Sequence, residues 1–133
     1  MFQILVVEDD KNTRKLMEEV LLQSGYEVIL ASDGIDALDK MDNHHVDLIV
    51  LDIMMPRMNG YELTQTLRSC NNNLPILMVT AKETHADKKE GFIVGTDDYM
   101  VKPIDEEEML LRIIALLRQI GRAHVWTPVT IRI

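Results

Sequence analysis

Short runs of β-branched and other apolar residues alternate along the chain with longer segments whose apolar positions recur every three or four residues. The runs Gln3 to Val7, Glu27 to Ala31, Asp47 to Leu51, Ile76 to Thr80 and Tyr99 to Lys102 predict strands. The segments Lys11 to Ser24, Gly34 to Met41, Gly60 to Cys70, Thr84 to Val94 and Glu106 to Gln119 predict helices. Strand and helix in strict alternation is the pattern of a parallel sheet covered by helices on both faces. Leu48, Ile49, Val50 and Leu51 are apolar at consecutive positions, so the third strand must be buried on both faces and belongs at the centre of the sheet. Leu16, Met17, Val20 and Leu21 form one stripe of the first helix, and Gly25 suits its C-terminal turn. Asp33 and Asp105 are placed to cap the helices that follow them.

The pattern stops near Gln119. Residues 120–133 are neither a polar linker nor a continuation of the amphipathic fifth helix, and they read as a vector-derived scar or an out-of-frame readthrough. The division expected is therefore one domain over 1–119 and a foreign tail over 120–133. Val125, Trp126, Thr127, Val129 and Ile131 make that tail β-prone, which suits an edge-strand contact.

Composition narrows the class. The chain has 133 residues, enough for one core, and no apolar run of the length a membrane span needs. Cys70 is the single cysteine, so neither an internal disulfide nor a cysteine zinc site is available, and a reducing cytoplasm is the expected compartment. Net charge is −8, with 5 basic against 13 acidic residues up to Thr66 and 9 against 9 beyond it. Such a chain has no basic footprint for nucleic acid.

In an open α/β sheet, ligands bind beyond the carboxyl ends of the strands. Glu8, Asp9 and Asp10 follow the first strand, Asp52 the third, Thr80 the fourth and Lys102 the fifth. Converging carboxylates repel unless a hard cation joins them, and Mg²⁺ takes a few carboxylates while keeping positions for phosphate oxygens. Beside such a cation Asp52 can act as a nucleophile towards phosphorus, with Lys102 as a second cation and Thr80 as a hydroxyl donor. The scattered methionines are core filler, and His44 and His45 precede the third strand, away from this end.

In ILVVEDD at 4–10, LIVLDIMMPRMNG at 48–60, ILMVTA at 76–81 and GTDDYMVKP at 95–103, the sequence resembles the receiver domain of two-component response regulators over Phe2 to about Gln119. The resemblance implies a (βα)₅ flavodoxin-like fold with strand order 2-1-3-4-5. It also implies transfer of a phosphoryl group from a sensor histidine kinase to Asp52. By position, Glu8, Asp9, Asp52 and the Met54 carbonyl match the Mg²⁺ ligands, with Mn²⁺ or Ca²⁺ as substitutes. Thr80 and Tyr99 match the switch pair, Lys102 the phosphoryl-binding lysine, and Lys102-Pro103 a cis peptide. Asp10 is left to cap the first helix.

Lys88, Asp97, Asp98, Glu108, Arg112 and Arg118 resemble the charged set through which OmpR/PhoB-type transcription factors pair two receivers on phosphorylation. In that arrangement Lys88 faces Glu108 and Asp97 faces Arg112 across the two-fold axis. DNA would then be bound only by a C-terminal domain absent from this chain. The alternative is a stand-alone receiver signalling through protein contacts. A dehalogenase-like hydrolase needs an acid two residues beyond the nucleophile, where this chain has Met54, and a flavodoxin needs a hydroxyl-rich phosphate loop where this chain has Glu8 to Thr13.

Overall fold

The computed structural model describes residues 1–70, 72–81 and 95–126, with side chains to Gln119. Its elements are β1 (Gln3–Val7), α1 (Lys11–Gln23), β2 (Glu27–Ala31), α2 (Gly34–Asn43), β3 (Leu48–Leu51), α3 (Gly60–Ser69), β4 (Ile76–Thr80), β5 (Asp98–Val101) and a C-terminal helix (Glu106–Trp126). The helix expected over Thr84 to Val94 lies outside the described residues. All strand pairs are parallel, in the order β2-β1-β3-β4-β5.

Period-two side-chain alternation splits the apolar residues into two cores, one on each face of the sheet. Ile4, Val6, Leu48 and Val50 meet Met17, Val20 and Leu21 of α1 and Met109, Ile113, Leu116 and Leu117 of the C-terminal helix. Leu5, Val7, Ile49 and Leu51 meet Ala37 of α2 and Leu63 and Leu67 of α3. Every residue of β3 is fully buried, and a buried Leu, Ile or Val side chain contributes roughly 1.5–3 kcal/mol. The central strand is therefore a firm platform, and Asp52 is its next residue.

Local chemistry starts each helix. The Asp10 carboxylate accepts from the Thr13 amide at 2.9 Å and the Thr13 hydroxyl at 2.6 Å. Asp33 accepts from the Asp36 amide at 2.8 Å, and Asp105 from the Glu108 amide at 3.0 Å. Asn59 and Glu62 form a reciprocal capping box at the start of α3. Gly25 closes α1 with φ +91°.

The last helix corrects one expectation. It does not end at Gln119 but runs through Trp126, so Val125 and Trp126 are helical rather than part of an edge strand. Extending a formed helix needs only one more residue fixed per hydrogen bond, and Arg122 and Ala123 favour it; Gly121 opposes by only about 1 kcal/mol. Residues 127–133 lie outside the described residues. No helix among the described residues is long and apolar enough to cross a membrane.

Candidate functional site

The parallel arrangement delivers the ends of β1, β3, β4 and β5 to one rim. Glu8 leaves β1 with its amide bonded to the Ala31 carbonyl at 3.0 Å, and the Asp52 amide donates to the Val7 carbonyl at 3.1 Å. Both acids are thus anchored by the sheet ladder itself. Glu8 is 0% exposed and Asp52 5%, while Asp9 faces solvent. One carboxylate oxygen from each of these three lies within 4.8 Å of the others. Asp10 stands apart as the α1 cap.

Lys102 reaches in from the end of β5. Its Nζ donates to Glu8 Oε1 at 2.8 Å and to Asp52 Oδ2 at 3.0 Å. Its amide donates to the Thr80 carbonyl at 2.8 Å, and its peptide bond to Pro103 is cis. Burial alone would lower the Lys102 pKa, but the bonds to Glu8 and Asp52 outweigh it and hold the ammonium above its ordinary range. Burial raises the Glu8 carboxyl above the usual range, and hydrogen bonds from Lys102 and the Asp10 amide offset only part of that. Three carboxylates therefore face one ammonium, and a divalent cation is the charge that would balance the set.

Thr80 is buried at the end of β4. Tyr99 is 7% exposed and packs in the core shared with Ile49, Leu51 and Met78. Its side chain is thus buried on the face of the sheet covered by α2 and α3.

The charged set expected at a dimer interface is partly engaged within the chain. Asp97 accepts from Arg68 Nη2 at 2.9 Å and from the Ile76 amide at 2.8 Å. Arg112 donates to both oxygens of Asp98, at 2.9 and 3.0 Å, and to Glu108 at 2.9 Å. Asp97 and Arg112 thus have in-chain partners other than each other. Lys88 lies outside the described residues, and Arg118 is exposed on the last helix.

Sequence reasoning missed Arg68, which also donates to the Gly95 and Asn72 carbonyls and so ties α3 to the segment entering β5. It also missed Arg57, which binds Asp33. The one signal for either was an arginine inside a Pro/Asn/Gly-rich turn, and a solvated charge fits that signal as well.

Comparison with known proteins decides the family. Residues 4–114 match the response regulator receiver domain. The chain belongs to that family. The receiver is 49% identical over 118 residues to a transcriptional regulatory protein, YrkP, of Bacillus subtilis strain 168, covering 89% of this chain and 50% of the relative. It is 45% identical over 117 residues to the response regulator MprA of Mycobacterium sp. strain KMS, covering 88% and 51%. The receiver thus spans about half the length of these curated relatives. Among solved structures it resembles the Francisella response regulator 1452 receiver domain, with TM-score 0.85, 32% identity and coverage of 90% and 98%. It also resembles the chemotaxis protein CheY4 of Vibrio cholerae, with TM-score 0.82, 34% identity and coverage of 87% and 98%. The fold and the family agree, and the chain is a receiver, the regulatory phosphoacceptor domain of two-component response regulators.

Proposed function

We propose that Asp52 is the phosphoacceptor, that a sensor histidine kinase is the donor, and that a transcription-regulating output reads the result. The observation that carries this is the position of Asp52: a buried carboxylate at the end of the central strand, bonded to Lys102 and clustered with Glu8 and Asp9. A carboxylate oxygen of Asp52 attacks phosphorus, an acyl phosphate bond forms, and the bond from phosphorus to the kinase imidazole nitrogen breaks. The imidazole leaves with the bonding pair and takes up a proton. Lys102 shifts from the Asp52 oxygen to a phosphoryl oxygen, and the Thr80 hydroxyl donates to another. Glu8, Asp9, Asp52 and the Met54 carbonyl would hold a Mg²⁺ ion, which when bound would supply charge neutralisation on the incoming group. Later attack of water on phosphorus breaks the bond to the Asp52 oxygen, releases inorganic phosphate and a proton, and restores the carboxylate.

The name of one half-matched relative, the transcriptional regulatory protein YrkP, favours a transcriptional output over a stand-alone receiver. We also infer that phosphorylation pairs two copies through Asp97, Asp98, Glu108, Arg112 and Arg118, together with Lys88. Incubation with acetyl phosphate and Mg²⁺, read by intact mass, tests the acceptor. Wild type is expected to gain one phosphoryl group and Asp52→Asn none; an adduct that survives in Asp52→Asn at an unchanged position removes the assignment.

A further inference from the structure

The loop between β3 and α3 is fastened to the first turn of α2 at three points. Arg57 donates from Nε to Asp33 Oδ2 at 2.7 Å and from Nη2 to Asp33 Oδ1 at 3.1 Å, so one guanidinium grips both oxygens of one carboxylate. The Gly34 amide donates to the Met58 carbonyl at 3.1 Å. Gly34 also lies flat against Met58, where a Cβ would come within 2.6 Å of the Met58 side chain and 2.7 Å of its carbonyl oxygen. Only glycine allows that approach.

Asp33 is 4% exposed and already caps α2 through the Asp36 amide. A carboxylate so buried needs a countercharge, and among the described residues Arg57 is the one bonded to it. Arg57 has φ +64°, the one left-handed non-glycine among the described residues. The Met58 amide donates to the Pro56 carbonyl at 2.7 Å, closing a three-residue turn about Arg57. Glycine would occupy that backbone position without strain. The strain is explained by what the arginine side chain does at Asp33.

The same loop bears the Met54 carbonyl. Near its start the Met54 amide faces Asp52 Oδ1 at 3.4 Å, and at its close the Gly60 amide donates to the Ile53 carbonyl at 3.0 Å. Residues 54–56 thus run between two fixed points, the Ile53–Gly60 closure and the Arg57–Asp33 grip. We propose that the Asp33–Arg57 pair is a positioning clamp for the cation site, holding the loop so that the Met54 carbonyl is preset as a ligand and coupling cation affinity to the first turn of α2. The clamp rests on the reading of Glu8, Asp9, Asp52 and Met54 as Mg²⁺ ligands. Arg57 itself, 59% exposed at its side chain, acts only through the backbone, by sparing the loop the ordering it would otherwise undergo when the cation binds.

The test is Mg²⁺ titration of the 133-residue chain, with the dissociation constant read from amide chemical shifts. Arg57→Gly removes the side chain while relaxing the backbone, and Asp33→Asn keeps a competent helix cap. Each is expected to weaken Mg²⁺ about tenfold, the low end for loss of support around metal ligands. The double variant is expected to weaken it no further, because both changes open one clamp. The metal-free melting temperature of Arg57→Gly is expected to fall little, since relief of the left-handed strain offsets the lost pair. Single variants within about twofold of wild type, or a double variant whose loss is the product of the two, overturn the clamp. Wild type that binds no Mg²⁺ at millimolar concentration overturns the cation site itself, and the clamp with it.

Discussion

One ammonium is shared by two buried carboxylates at the rim, and neither carboxylate has another cation within bonding distance among the described residues. Lys102 is thus a structural tie between the two acids, and on the function proposed above it is the group that would let go of Asp52 when phosphorus arrives. Asp33 shows the opposite economy of charge, with the Arg57 guanidinium holding its carboxyl below the ordinary carboxylate range and the Asp36 amide adding to the effect. An acid depressed in the folded state contributes stability that is complete above its unfolded value, near ~3.9, and is lost as pH falls through the lower folded value. The urea midpoint of Asp33→Asn should therefore lie below wild type at neutral pH, and the gap should close below about pH 4 as Asp33 protonates. An equal gap at both pH values removes the charge from the explanation. The acids at strand ends could be read from the sequence because a strand boundary is a local pattern. The pairs Arg57–Asp33 and Arg68–Asp97 could not, since their members are 24 and 29 residues apart and meet only once the loops are folded.

Among the elements, α3 begins where space is shortest. A Cβ at Gly60 would lie 2.4 Å from the Asp52 carbonyl oxygen, 2.6 Å from Leu51 Cδ1 and 2.9 Å from Ile53 Cα. Two of these three obstacles are backbone, so Gly60→Ala must push α3 away from the strand end that carries Asp52. We expect a loss of roughly 1–3 kcal/mol, the usual range for overpacking, read by urea unfolding, together with slower acetyl phosphate labelling. Unchanged stability would mean that the helix start yields freely. Element type was legible in the described residues up to Gln119, because two-residue and 3.6-residue periods differ and strands and helices each follow one of them. Ends were less so: α2 runs to Asn43 rather than Met41, and the last helix ignores the β-prone residues beyond Gln119. Propensity at a helix end is a weak force beside propagation from a packed helix.

At the scale of the whole molecule, the dimer inferred above requires an exchange. Arg112 would give up Asp98 or Glu108, and Asp97 would give up Arg68, for equivalents in a second copy. These pairs are half-buried, and each one given up is replaced by an equivalent in the second copy, so such an exchange is nearly even and a modest bias from the phosphoryl site can tip it. Beryllofluoride, a phosphoryl mimic, is expected to raise the dimer fraction in sedimentation, and Arg112→Glu to lower it. A wild type that stays monomeric with the mimic, or an Arg112→Glu that dimerises equally, returns the balance to a stand-alone receiver. The Lys102 bridge bears finally on how the chain comes to be folded. Glu8 and Lys102 are 94 residues apart, and the sheet order leaves β5 at the edge, paired only with β4. During synthesis from the N-terminus, β1, β2 and β3 can pair before β5 has emerged, bringing Glu8, Asp9 and Asp52 together with no lysine to offset them. Until β5 docks on β4 the acidic rim lacks the ammonium that offsets it, so that one edge pairing completes both the sheet and the site.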